Sequence, residues 1–317
     1  MHRVFIDGQA GTTGLQIHER LLSRSDIELL EIDPKERKNP DAKQDIINLA
    51  DVVILCLPDD AAIQTVAQNK NPEVRFIDAS TAHRTHPNWV YGFPELTKDQ
   101  RRQIAFSKLV TNPGCYPTGF LAAVRPLVDE NLLNHDAVLT VSALSGYSGG
   151  GRQLIERYEA RSALQPEQLW HARPYALGLK HKHVPEMKSL GLLSNEPIFL
   201  PTVGHFFQGM LVLCPIQQKQ FARPITPKDV HALLSRRYDK EPCINVMPIN
   251  DNDSLDQGFL DPEGANGTNR IDLLVFGHQK QMVLIARLDN LGKGAAGSAV
   301  QNLNLMLQAN EMEGLRL

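Results

Sequence analysis

No apolar run in the 317 residues approaches the roughly 20 that a membrane-spanning helix requires. The opening segment, Met1-His2-Arg3-Val4-Phe5-Ile6-Asp7, leads straight into a short strand. It lacks the longer apolar stretch and small-residue cleavage site of a secretory leader, so the expectation is a cytoplasmic protein. Cysteine is scarce, with four in the chain and no C-x-x-C pair, which excludes a disulfide scaffold. Cys/His clusters with metal-ligand spacing are missing as well, and no metal is expected. There is also no excess of one charge: 33 Lys+Arg face 36 Asp+Glu, a net charge of -3. Such a balance offers no electrostatic footprint for nucleic acid or an anionic membrane. Internal repeats and low-complexity tracts are absent.

What is present suffices for two domains with hydrophobic cores, since 42% of the residues are hydrophobic. The first part alternates short apolar strands with helical stretches. Strands are expected at Arg3 to Asp7, Ile27 to Ile32, Val52 to Leu57 and Val74 to Asp78, and helices at Thr13 to Ser23, Ala42 to Leu49 and Ala61 to Gln68. This order predicts βαβ units and a parallel sheet covered on both faces. Beyond Cys115 the texture changes. A helix is expected over Thr118 to Asn131, then longer strands at Ala137 to Ala143, Met210 to Ile216, Ile271 to Phe276 and Gln281 to Leu288. That pattern reads as a mixed α+β domain. The segment from Ala295 onward is helical again and is expected to pack back on the first domain. The expected division is 1–114 with 295–317, and 115–294.

Strand 1 runs into Gly8-Gln9-Ala10-Gly11-Thr12-Thr13-Gly14, a G-x-x-G-x-x-G turn that opens a helix. Glycines permit a tight turn and close approach to a pyrophosphate, while the helix N-terminus supplies N–H donors. Gly8, Gly11, Thr12, Thr13 and Gly14 are therefore cofactor candidates. After strand 2, Asp33 would suit a free ribose 2′-hydroxyl, whereas Lys35, Arg37 and Lys38 would suit a 2′-phosphate. Charge alone does not choose between them.

Three cysteines, Cys56, Cys214 and Cys243, sit in apolar, strand-like surroundings where a thiol is inert. Cys115 differs. It lies in Asn112-Pro113-Gly114-Cys115-Tyr116-Pro117-Thr118, a constrained turn ahead of a helix. Helix N-terminal N–H groups stabilise a thiolate and could hold the oxyanion of a tetrahedral intermediate. Lys180-His181-Lys182-His183-Val184-Pro185-Glu186 offers two imidazoles in a polar loop, with Glu186 placed to orient the His183 ring. Two further loops suit anions: Asp78-Ala79-Ser80-Thr81-Ala82-His83-Arg84, and Ser145-Gly146-Tyr147-Ser148-Gly149-Gly150-Gly151-Arg152.

Taken together, the segments GQAGTTG, DASTAHR, YGFPEL, NPGCYPT, SGYSGGGR, HKHVPE and KGAAGSAVQNLNLM resemble the N-acetyl-γ-glutamyl-phosphate reductases of arginine biosynthesis, in their shorter form. They run in order from residue 8 to residue 306. The resemblance implies an α/β fold, with a Rossmann-type dinucleotide-binding domain and an α+β catalytic and dimerisation domain. It implies an NADPH-dependent reduction of an acyl phosphate through a thioester on Cys115, with His183 as acid/base. On the substrate side it implies Arg84, Ser148, Arg152 and Glu186. Ser80, Lys293 and Gly294 join the cofactor set, and the enzyme is expected to be a homo-oligomer, dimer or tetramer. Thr81-Ala82-His83 replaces the acidic and aromatic residues usual in that loop. Alternatives are an aspartate-semialdehyde or aminoadipyl-phosphate type of reductase and, in another class, a cysteine hydrolase using Cys115 and His183.

Overall fold

Successive residues of the strand Val52–Leu55 serve two cores. Val52 and Ile54 pack with Val4, Ile6, Ile17, Leu21 and Ile77, while Val53 and Leu55 pack with Phe5, Ile47, Ala62 and Phe76. The period of two along a strand, with both faces covered, makes this strand apolar throughout. In the computed structural model, which describes residues 1–37, 39–162, 165 and 168–317, the chain divides into two compact units. They are Met1–Pro113 with Ala295–Leu315, and Gly114–Gly294 with Arg316–Leu317.

The first unit runs β1 (His2–Asp7), α1 (Thr12–Leu21), β2 (Ile27–Leu30), α2 (Pro40–Leu49), β3 (Val52–Leu55), α3 (Asp59–Gln68), β4 (Arg75–Asp78), β5 (Val90–Tyr91), α4 (Gln100–Phe106) and β6 (Leu109–Thr111). Its six strands form one sheet in the order β2-β1-β3-β4-β6-β5, and every pairing is parallel. Strand order reverses beside β1, and in open α/β sheets ligands bind outside the strand ends at such a switch point. The C-terminal helix Gly297–Met306 belongs to this unit, and its Ala299, Val300, Leu303 and Met306 enter the core. Its polar residues are buried too, each with partners. Asn302 donates to the Gly92 carbonyl at 2.9 Å and to Asn112 Oδ1 at 3.1 Å, and Gln301 donates to Glu95 at 2.9 Å. The buried amide N–H groups are satisfied in this way, whereas Asn302 Oδ1 has no hydrogen-bond partner.

The second unit runs α5 (Cys115–Asp129), β7 (Thr140–Ser145), α6 (Arg152–Ser162), β8 (Ala172–Pro174), α7 (Val184–Leu190), β9 (Ile198–Gly204), β10 (Met210–Gln217), α8 (Pro227–Tyr238), β11 (Ile244–Val246), β12 (Ile271–His278) and β13 (Gln281–Leu288). Its sheet has the order β11-β12-β13-β10-β7-β9-β8 and mixes parallel with antiparallel pairs. α5 lies on this sheet and is buried on nearly every side. Gly119 allows the approach, because a Cβ there would stand 3.0–3.2 Å from Val212, Ala286 and Leu288. Pro126 has no N–H to give the Ala122 carbonyl one turn back, and the Tyr238 hydroxyl donates to that carbonyl instead at 2.8 Å.

Several expected boundaries shift. α5 begins at Cys115, three residues before Thr118, because proline is tolerated in a helix's first turn and Pro117 does not delay the start. Cys56 follows β3 and Cys243 sits in the turn before β11, so neither lies within its strand. The strand expected from Ala137 begins at Thr140. The segment after Ala295 becomes α-helical at Gly297, preceded by a wider turn over Gly292–Ala296, and ends at Met306.

Candidate active site

In the first unit the glycine turn is shaped for close approach. Gly8 has φ of +91°, and a Cβ there would lie 2.3 Å from the Cys56 carbonyl oxygen, so only glycine fits. At Gly14 a Cβ would stand 2.5 Å from the Gly8 carbonyl oxygen, which is how the first turn of α1 packs on the loop. Gly11 is the N-cap and has no side chain to cap with. The N–H groups of Thr12, Thr13 and Gly14 therefore lack an intrahelical acceptor, and Leu15 makes the first helical bond, to Gly11 at 2.8 Å. This arrangement fits the pyrophosphate of a dinucleotide. Beside it lies a cavity of about 190 Å³ whose lining includes Asp7, Gly8, Ile32, Arg37 and Lys43. Lys43 Nζ is 2.9 Å from Asp7 Oδ2. Sequence reasoning missed Lys43, which reads as an ordinary helix-surface lysine. Lys38 lies outside the described residues.

Ser80 has a structural task within this unit. Its N–H and hydroxyl donate to the two carboxylate oxygens of buried Asp78, each at 2.8 Å, and His83 Nδ1 is 2.6 Å from the same carboxylate. His83 also stacks on Trp89 at 4.2 Å between centroids. The Arg84 guanidinium donates to the Asn112 carbonyl at 3.0 Å and to the Ala79 carbonyl at 3.2 Å.

The second unit holds the thiol. Cys115 is the first residue of α5, and its N-cap Gly114 uses no side-chain bond. The Gly114 N–H instead donates to Glu186 Oε1 at 2.8 Å, and Glu186 is 1% exposed. Gly294 packs directly on the thiol-bearing residue: a Cβ at 294 would come within 2.8 Å of the Cys115 Cβ. His183 is buried as the N-cap of α7 rather than lying in an open polar loop, because Val184 and Met187 draw that turn into the core. Its ring meets Tyr116, the neighbour of Cys115, edge-on at 5.7 Å and His181 at 4.7 Å. The structure thus gathers Cys115, His183, Glu186 and Gly294. Lys293 is fully buried beside them in sequence.

His181 is held differently. Its Nδ1 accepts the His183 N–H at 3.1 Å, and burial, with Lys182 adding to it, lowers its pKa to about 4. It is neutral at physiological pH and has no charge to exchange there. The other thiols are quiet: burial pushes Cys56 and Cys214 up to about 12, and Cys243 is fully buried.

Ser148 is buried and its hydroxyl accepts from Asn290 Nδ2 at 2.9 Å, while Asn290 Oδ1 accepts the Gly209 N–H at 2.7 Å. Asn290 carried no signal in the sequence, since a lone Asn next to Asp289 is unremarkable. Arg152 stands apart, on the exposed face of α6 and paired with Glu156 at 2.8 Å. Among the described residues no group of three His, Cys, Asp or Glu side chains could hold a metal ion. No helix among them is long and apolar enough to cross a membrane.

A phosphate-cradling turn in one unit and a helix-N-terminal thiol in the other accord with the family comparisons. Residues 31–104 match the semialdehyde dehydrogenase NAD binding domain, and residues 115–290 match the semialdehyde dehydrogenase dimerisation domain. The chain belongs to the semialdehyde dehydrogenase family, whose members are oxidoreductases that use a nicotinamide cofactor. Within it, the chain is 46% identical to "N-acetyl-gamma-glutamyl-phosphate reductase 2" of Nostoc sp., covering 99% of both chains. It is 48% identical to the N-acetyl-gamma-glutamyl-phosphate reductase of Brucella suis, over 96% of this chain and 98% of that one. Among solved structures, aspartate semialdehyde dehydrogenase from Francisella tularensis shares the fold at a TM-score of 0.75 and 13% identity, covering 97% of this chain and 100% of that one. The Vibrio cholerae aspartate semialdehyde dehydrogenase II gives 0.71 at 15% identity, covering 97% and 98%.

Proposed function

We propose that the chain reduces N-acetyl-γ-glutamyl phosphate to N-acetylglutamate 5-semialdehyde and phosphate, using NADPH, in arginine biosynthesis. The observation that carries this reading is Cys115 at the first position of α5, with its N-cap amide held by buried Glu186. The full-length likeness to reductases of that name supports the substrate.

In this reading the Cys115 thiolate attacks the acyl carbon, a C–S bond forms, and the C–O bond to phosphate breaks. The positive N-terminal end of α5 stabilises the oxyanion. A nicotinamide cofactor held by the glycine turn would supply the hydride that the acyl carbon accepts. His183 holds the proton that the carbonyl oxygen takes up and removes it when aldehyde leaves and the thiolate returns. Glu186 fixes the turn before the thiol. Arg84, Ser148 and Arg152 serve the anionic groups of the substrate, Arg152 by exchanging an exposed ion pair that costs little to break. Gly8, Gly11, Thr12, Thr13 and Gly14 hold the pyrophosphate, with Ser80, Lys293 and Gly294 on the cofactor side.

The cavity beside the glycine turn supports NADP over NAD, because Arg37 and Lys43 both line it and Asp7 is already neutralised by Lys43. The match to a dimerisation domain supports a homo-oligomer, and the cytoplasm suits a biosynthetic enzyme. Reverse turnover, with phosphate and NADP, distinguishes substrates. N-acetylglutamate semialdehyde should be oxidised and aspartate semialdehyde left essentially untouched. The opposite preference would overturn the assignment while keeping the family.

A further inference from the structure

A directed chain of hydrogen bonds runs beside the thiol without including it. The amide N–H of His183 donates to His181 Nδ1 at 3.1 Å, so that nitrogen carries no proton. A neutral His181 then bears its proton on Nε2, which lies 3.3 Å from the Tyr175 hydroxyl oxygen. Tyr175 passes its own proton on to the Tyr116 hydroxyl at 3.2 Å. Every donor therefore points the same way, from the amide of His183 to the Tyr116 hydroxyl.

All members of the chain are uncharged. Burial holds Tyr116 well above its ordinary range and pushes Tyr175 up to about 12, although a third of the Tyr175 surface is open. The rings are locked by packing as well. Phe199 meets Tyr116 at 5.0 Å and His181 at 5.1 Å, and Tyr175 meets His181 at 5.6 Å. Between Tyr175 and His181 the backbone takes a conformation that side-chain-bearing residues avoid: Ala176 has φ of 53° and Leu179 of 58°. Such backbone persists only where its surroundings over-determine it. Here it brings the Tyr175 and His181 rings together edge-on, at 68° to one another.

We propose that Tyr175 is a positioning residue for His183. Its hydroxyl holds His181 in the Nε2–H form, which turns the bare Nδ1 toward the His183 amide and fixes the start of α7 against the first turn of α5. This role rests on the reading that Cys115 and His183 carry the chemistry.

The test is Tyr175→Phe, which keeps the ring and removes the hydroxyl, alongside His181→Asn, whose Oδ1 can still accept the His183 N–H. Imidazole ¹⁵N spectra of the wild-type enzyme should show His181 protonated on Nε2, and Tyr175→Phe should shift part of the population to Nδ1–H. In Tyr175→Phe, kcat should fall by about 10-fold or more, the scale on which small misplacements of a reacting group act, with KM for NADPH unchanged. His181→Asn should retain more activity than His181→Ala. A wild-type kcat in Tyr175→Phe, or wild-type His181 protonated on Nδ1, would overturn the proposal. If His183→Asn also kept full activity, the underlying assignment would fall with it. If His183→Asn were crippled and Tyr175→Phe were not, only the positioning role would fall.

Discussion

Glu186 accepts the amide proton of Gly114 at 2.8 Å, so a fully buried carboxylate holds the residue immediately before the candidate nucleophile. An α-helix leaves its N-terminal amides without intrahelical partners, and here one carboxylate oxygen satisfies the N-cap amide.

Replacing Glu186 separates this bond from charge. Glu186→Ala strands a buried N–H and should cost about 1–3 kcal/mol of stability together with a kcat reduced by about 10-fold or more. Glu186→Gln keeps an acceptor oxygen and should stay within severalfold of wild type. Urea denaturation and steady-state kinetics measure both effects. Equal losses in the two variants would show that charge, not the bond, is what matters.

His183→Asn should slow turnover by ~10²–10⁴-fold, the range of a lost general acid/base, with NADPH affinity retained. Steady-state rates and cofactor fluorescence titration read the two quantities. His181 is a poor substitute because it is already neutral above a pKa of about 4 and its Nδ1 is occupied. A His183→Asn enzyme at wild-type rate would remove His183 from the chemistry.

Cofactor choice is testable with fragments. Lys43→Met removes a cation from the cavity beside the glycine turn and leaves Asp7, 6% exposed, without its 2.9 Å partner. Affinity for 2′,5′-ADP should fall by roughly 10- to 100-fold, the worth of one charged hydrogen bond, while affinity for 5′-AMP holds. Calorimetric titration of both fragments decides it. Equal losses for both would place Lys43 in the scaffold.

How much of this was legible in the sequence depends on how local the cause is. The β1–glycine turn–α1 segment was readable because strand period, glycine and helix start are all nearest-neighbour properties. β10 and β13 were readable as long apolar strands, and Gln281–Leu288 was placed at both ends. Helix α5 begins at Cys115, three residues before the Thr118 expected from the sequence. Non-local pairings left no trace. Nothing near Lys43 in the sequence announces Asp7, since only the parallel βαβ arrangement brings α2 to the end of β1. Lys180 and Lys182 made His181 and His183 look solvated, yet the flanking Val184 and Met187 bury the turn. Tyr175 gave no signal, because its role exists only through partners on α5 and before α7.

The Pro126–Tyr238 relationship predicts a stability effect away from any chemistry. Tyr238→Phe leaves the Ala122 carbonyl without its donor and should cost about 1–3 kcal/mol with activity unchanged at low temperature. Urea midpoints would show it, and an unaltered midpoint would mean that water replaces the hydroxyl.

The most direct measurement is to mix the enzyme with N-acetyl-γ-glutamyl phosphate in the absence of NADPH and examine the peptides by mass spectrometry. One equivalent of phosphate should be released in a burst, and an N-acetylglutamyl thioester should appear on the Cys115 peptide and be absent from Cys115→Ser. Turnover with NADPH but no adduct at Cys115, or full activity in Cys115→Ser, would contradict the thioester route.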